Sequence, residues 1–303
     1  MMAIRRLKPT NDFIFSRLFG EQETKENLIS LLNAILHLEE SKRIVDLTVI
    51  ENKDLSKELI DDKTGRLDVR AETLDHVQID IEVQLADQHN MARRTLFYLA
   101  KLYVESIKAG GKYVDLKKTV TINILDFKLL NISRFHSTFH FYEDHEDNFM
   151  LTDVMEVHMI EYPKFREVKK NMDDPLHRWL LFLDDKLPED KLKELMEMDP
   201  AIRKTEERLE WLSGDEETLR LYEAREHSRI ERNSLVWEAE EKGRAEGKAE
   251  GKAEGREEGR AEEKRNTAKN LFAMGMGIAD IAKAIGVSVE DIEKMMKEGD
   301  KPS

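Results

Sequence analysis

Residues 65–84, GRLDVRAETLDHVQIDIEVQ, constrain the fold by parity. Leu67, Val69 and Ala71 alternate with Arg66, Asp68, Arg70 and Glu72. Val77, Ile79, Ile81 and Val83 alternate with Gln78, Asp80, Glu82 and Gln84. A period of two marks strands with one buried face. Every apolar position is odd and every polar one even, so an antiparallel hairpin must pair even with even. The turn then centres near Asp75, and Asp68 falls opposite Glu82. A slip of two residues sets Asp68 opposite Asp80 or Gln84 instead. Opposed Cβ atoms lie about 4.5–5.5 Å apart, where like charges repel. Two readings answer this. One is a solvated face neutralised by Arg66 and Arg70. The other is a divalent cation: hard cations accept one or two carboxylates, keep several waters, and activate water for attack on a phosphodiester.

Composition narrows the setting. The 303 residues suffice for one large domain with appendages. With 37% charged residues and a formal net charge of −14, a general nucleic-acid coat protein is disfavoured, although a local basic groove is not. The absence of cysteine excludes disulfides and thiolate metal sites and fits a reducing, cytoplasmic home. The N-terminal MMAIRRLKPTNDF lacks the apolar run of a signal peptide, and no stretch approaches the ~20 apolar residues of a membrane span. A soluble intracellular protein without membrane partners is expected.

Along the chain, residues 11–37 carry two helical patterns, NDFIFSRLFG and ENLISLLNAILHL. RIVDLTVIE, 43–51, reads as a strand. Residues 91–109 form a helix closed by Gly110 and Gly111, with Arg94, Tyr98 and Lys101 at helical spacing. KTVTINILDF, 118–127, is a β-branched strand of the kind found inside mixed sheets. Two more strands are expected near 134–142 and 153–161, and helices from Asp173 onward. This order makes an α/β sandwich around a mixed sheet. His136, His140, His145 and His158 read as surface histidines in the absence of a supporting metal motif.

The order of these elements, with LDVR followed by IEVQ, resembles the PD-(D/E)XK nuclease superfamily. More narrowly, NDFIFSRLFG, GRLDVRAET, IDIEVQ and RRTLFYLAKLY resemble the Rpn group of recombination-promoting nucleases, over roughly residues 7–130. The resemblance implies a restriction-endonuclease-like mixed sheet flanked by helices, with a long all-α C-terminal extension, and a Mg²⁺- or Mn²⁺-dependent DNA endonuclease. It implies that Asp68 and Glu82 bind metal with the Val83 carbonyl. Gln84 stands where the commoner superfamily pattern has lysine; a glutamine hydrogen-bonds but brings no charge. Arg94 or Lys101 is the candidate replacement cation, and Asp12 and Asp80 are further acids. Asp12 reads equally as a helix N-cap, and Tyr98 as a packing residue with a polar tip. The alternative is a catalytically idle, DNA-associated or self-assembling protein that keeps the fold.

Three segments are expected: a nuclease domain over 1–215, a long helix over 216–264, and a helix-turn-helix-like interaction module over 265–303. Residues 243–262 read GRAE GKAE GKAE GREE GRAE. A four-residue period advances 400° on a helix, so opposite charges never meet at i+3 or i+4 within the regular units. Glycine adds about 1 kcal/mol of helix cost per position. A helix paired with a second copy is the favoured reading, a charged linker the other. In the module, Ser288 and Asp291 form a capping pair. Its second helix opens with Glu290, Asp291 and Glu293, which suits a protein partner better than DNA.

Overall fold

The computed structural model describes residues 6–50, 69–87, 89–108 and 110–297. Helix α1 (Asp12–Phe19) starts at Asn11, whose side chain accepts from the Phe13 and Ile14 amides. Helix α2 (Lys25–Leu36) follows, then strand β1 (Leu47–Val49), shorter than the β-branched run around it. The hairpin strands are β2 (Val69–Thr73) and β3 (Gln78–Gln84). Helix α3 (Met91–Glu105) crosses over to β4 (Thr119–Leu125). It ends at Glu105 rather than at the glycine pair, because the Ser106 amide already closes the last turn onto Tyr103 and Val104. Strands β5 (His136–Tyr142) and β6 (Met150–Glu161) complete a six-stranded sheet of order β1-β2-β3-β4-β6-β5. Pairs β3/β4 and β4/β6 are parallel and the others antiparallel.

Parity sets the layers. Odd residues of β3 (Ile79, Ile81, Val83) and even residues of β4 (Val120, Ile122, Ile124) share the main apolar core. The helices of that layer are α1, α2, α5 (Pro175–Leu183) and α7 (Pro200–Gly214), between which runs α6 (Glu189–Met198); the short α4 (Tyr162–Glu167) adds Phe165. Phe15, Phe19, Trp179 and Phe182 pack edge-on or tilted at its centre, with centroids 4.7–5.7 Å apart. Gly20 ends α1 where a Cβ would lie 2.8 Å from the Ser16 carbonyl oxygen and 3.3 Å from Val69 Cγ2, so only glycine lets the helix end meet β2.

The chain divides into two compact units, 1–223 and 224–303. Helix α8 (Glu216–Ala273) begins in the first and continues into the second. Its 58 residues span roughly 87 Å at 1.5 Å per residue. Ion pairs reach only to Lys242–Glu246 and Glu241–Arg244, both 3.9 Å; among the described residues none lies within 247–262. A Cβ on Gly243, Gly247, Gly251, Gly255 or Gly259 would meet nothing within 4 Å. In the second unit α9 (Ile278–Ile285) and α10 (Val289–Lys297) close a small core of Ala268, Ile281, Ala282 and Ile292. Ser288 and Asp291 cap α10 reciprocally. Among the described residues no helix is long and apolar enough to cross a membrane.

The histidines of β5 and β6 are not the free surface groups their composition indicates. The antiparallel register brings His136, Thr138 and His140 beside His158 and Glu156. His158 Nε2 lies 2.7 Å from Glu156 Oε1, and His158 Nδ1 lies 2.9 Å from His136 Nε2. A carboxylate only accepts, so a neutral His158 donates from Nε2 and accepts from His136 at Nδ1. Lys118 Nζ and His140 Nε2 complete the Glu156 shell at 2.8 and 3.4 Å. The His37 ring lies 5.9 Å from that of His136, and Asp174 acts on His136 through its charge. Burial, with His158 and His37 adding to it, lowers the His136 pKa from 6.5 to about 4. Hydrogen bonds from His158 and Lys118 outweigh burial at Glu156 and hold it at about 2.

Both values are depressed, so both groups contribute stability that is present above the unfolded pKa and lost as pH falls through the folded one. For His136 the window runs from pH 6.5 to about 4, and for Glu156 from 4.5 to about 2. Discounted for partial exposure, the His136 share is roughly 1–2 kcal/mol. Urea denaturation of His136→Phe at pH 7 and pH 4 is expected to show a shallower acid loss than the wild type. An unchanged pH 7-to-4 difference would mean that the ring is not part of the acid response.

Candidate active site

The even-numbered, polar side of the hairpin is not solvated. Helix α3 covers it, leaving Asp80 0% and Glu82 2% exposed. The parallel register sets Asp80 beside Thr121 and Glu82 beside Asn123, so odd residues of β4 extend the polar layer. Thr121 Oγ1 donates to Asp80 Oδ2 at 3.3 Å, Thr95 Oγ1 to Asn123 Oδ1 at 3.2 Å, and Asn123 Nδ2 to the His158 carbonyl at 3.3 Å. Met91 and Leu99 of α3 pack against Leu125, Val157 and Met159 as the apolar margin. Thr95, Thr121 and Asn123 escaped the sequence reading. Their signal was the same period of two, in Thr119, Thr121 and Asn123, inside a run that reads simply as buried strand.

The acids are held apart by assigning each its own arginine. Arg70 stands directly opposite Asp80. Its guanidinium donates to Gln78 Oε1 at 3.1 Å and lies 3.8 Å from Glu105 Oε2 on α3. Burial lowers the Arg70 pKa, against the pull of Glu105, Asp80 and Glu72. Glu82 is served differently. Arg94 Nη2 approaches Glu82 Oε1 to 3.7 Å, an ion pair too long for a hydrogen bond. Both Glu82 oxygens are buried without a hydrogen-bond partner among the described residues. Burial therefore raises the Glu82 pKa, and Arg94 only partly offsets it. Arg94 itself stacks over the buried Tyr98 ring, 5.7 Å from its centroid. An anionic group out of water with open lone pairs is the donor that a divalent cation fits.

The other expected residues are distributed as follows. Gln84, at the end of β3, is half-buried and makes no side-chain hydrogen bond among the described residues; its carbonyl accepts from Asp126 at 2.9 Å. The Val83 side chain lies in the main core. Lys101 lies part-exposed on α3, its Nζ 5.7 Å from the Phe97 centroid, with no ion pair among the described residues. Asp12 is not the N-cap of α1: Asn11 has that place, and Asp12 is exposed in the first turn, accepting from the Phe13 amide at 2.7 Å. Asp68 and Arg66 lie outside the described residues. Among the described residues no group of three or more His, Asp or Glu side chains is arranged to hold a metal ion.

Arg94→Met leaves the Glu82 carboxylate buried without the one cation that pairs with it among the described residues, and is expected to cost about 3 kcal/mol. Adding Glu82→Gln should recover most of that loss. A double-mutant cycle by urea denaturation measures the coupling; additive effects would mean that the 3.7 Å approach carries no energy.

The family model described as PD-(D/E)XK nuclease family transposase matches residues 9–239. The match runs from the start of the fold into α8, and the chain belongs to that family. No curated protein and no solved structure matches the chain.

Proposed function

We propose that this member of the PD-(D/E)XK nuclease family is a Mg²⁺- or Mn²⁺-dependent DNA endonuclease of the Rpn type, acting in the cytoplasm in bacterial DNA recombination, horizontal gene transfer or phage defence. The observation that carries the reading is the buried Glu82 carboxylate, neither of whose oxygens has a hydrogen-bond partner among the described residues. A fold that needed only a charged strand face would have satisfied both. Asp68, Glu82 and the Val83 carbonyl would hold the metal. When bound, the metal supplies charge neutralisation at the scissile phosphate and lowers the pKa of water. Gln84 orients the attacking water by accepting or donating a hydrogen bond. Arg94 neutralises Glu82 in the free protein and supplies the positive charge that lysine brings in the commoner motif. Tyr98 fixes the guanidinium plane from below. Asp12 and Lys101 are outer contributors. The competing reading, an idle nuclease fold kept for binding, draws on Gln84 alone.

Plasmid nicking in Mg²⁺ decides between them. Asp68→Ala and Glu82→Gln are expected to lower the rate by at least about 100-fold with far-UV circular dichroism unchanged. Undiminished cleavage by either variant removes the site. Gln84→Lys is expected to retain or raise activity; complete loss in a folded protein would show a role for the neutral amide that a cation cannot fill.

We read the tail as a helix that pairs with a second copy through α8. Five glycines with open space around each Cβ position give a helix no internal benefit, and the regular units form no ion pairs of their own. A second copy accounts for both features, with close backbone approach at glycine and charge stripes meeting across the contact. Replacing the five glycines by alanine raises intrinsic helicity but fills the contact. Sedimentation is expected to show a dimer for the full chain and a monomer for that variant. Equal masses for the two end the proposal.

A further inference from the structure

The surface of α3 that faces away from the sheet has a composition unlike the rest of the chain. Residues 91–118 hold seven basic and two acidic residues within a protein of net charge −14. Three of the seven are committed inward or sideways: Arg94 to Glu82, Lys117 to Glu72 at 2.6 Å, and Lys118 to Glu156. Arg93, Lys101, Lys108 and Lys112 make no ion pair among the described residues, in a structure where most lysines and arginines of the first unit do. The same stretch leaves aromatic rings in water. Phe97 is 56% exposed and Tyr113, in the 3₁₀ turn Tyr113–Asp115 after α3, is 90% exposed. Each is a ring that costs hydration without returning core packing.

We infer that this outer face of α3 and the turn after it form the track on which the substrate strand is held, and that the strand is unpaired. The inference rests on the nuclease reading for what happens to the strand, but not for where it binds. Uncommitted cations along a helix match a polyanion, and exposed rings between them offer platforms for unpaired bases. A duplex would meet the cations but keep its bases stacked away from Phe97 and Tyr113. The track adjoins the candidate site directly: Arg93 and Phe97 flank Arg94 on α3, and the first turn of α3 carries no acid. Its open N-terminal amides add a positive end where phosphates pass toward Glu82.

Fluorescence anisotropy with the full chain in EDTA separates binding from cleavage. The probes are a labelled 20-nucleotide oligo(dT) and a 20-base-pair duplex. The single strand is expected to bind more tightly. Phe97→Ala and Tyr113→Ala should each weaken it by roughly 5- to 100-fold, with little change for the duplex. Phe97→Trp should restore binding. The pair Lys101→Gln and Lys108→Gln should lower the slope of log affinity against log salt by about 1.4, two phosphates' worth for a single strand. Wild-type protein that binds oligo(dT) in EDTA but cuts no DNA in Mg²⁺ would sink only the catalytic reading and leave the track standing. Equal affinity of both alanine variants and wild type for oligo(dT), tighter binding of the duplex, or no nucleic-acid binding at all would overturn the track. The last of these would leave the face as a docking surface for a protein.

Discussion

A carboxylate removed from water must be matched by charge or hydrogen bonds, and the nuclease-like unit is organised around doing this twice on one strand. Asp80 and Glu82 are two residues apart on β3 and share a face that α3 seals. Sealing turns a mild surface repulsion into a costly one, because the local dielectric falls. Arg70 across the hairpin, Thr121 across the parallel pair and Arg94 from the covering helix are the response. Removing any one exposes the rest of the layer to an unmatched charge. The same constraint explains why α3 carries arginine and threonine on its inner face at positions where an ordinary amphipathic helix would be apolar.

The two acids end in unequal states. Asp80 accepts from Thr121 through one oxygen, whereas among the described residues Glu82 has a hydrogen bond on neither, beside a guanidinium that is close but not bonded. Such a group is poised to exchange one cation for another at small structural cost. The outer side of the same helix bears the free cations and rings. One helix thereby presents a neutralising residue inward and a polyanion-binding surface outward. At the other edge of the sheet, His136, His158 and Glu156 form a separate polar chain, matched internally and therefore a source of stability rather than of unmet charge.

Several features were legible in the sequence by itself. The odd–even alternation limited the hairpin to registers that pair even with even, because a shift of one residue would have turned Ile79, Ile81 and Val83 out of the core; the observed pairing of Arg70 with Asp80 is one of those parity allows. The helical stripes of α1 and α2 and the Ser288–Asp291 cap followed from local pattern in the same way. What only the tertiary structure decided was burial and partnership. A period of two cannot say whether the polar face meets water or a helix, since that depends on where a segment ten residues further along lies down. Nor can it show that Thr121 and Asn123 join the layer, that Asn11 rather than Asp12 caps α1, or that His136 leans on His158: those pairings arise between elements distant in sequence, where no local spacing carries the information.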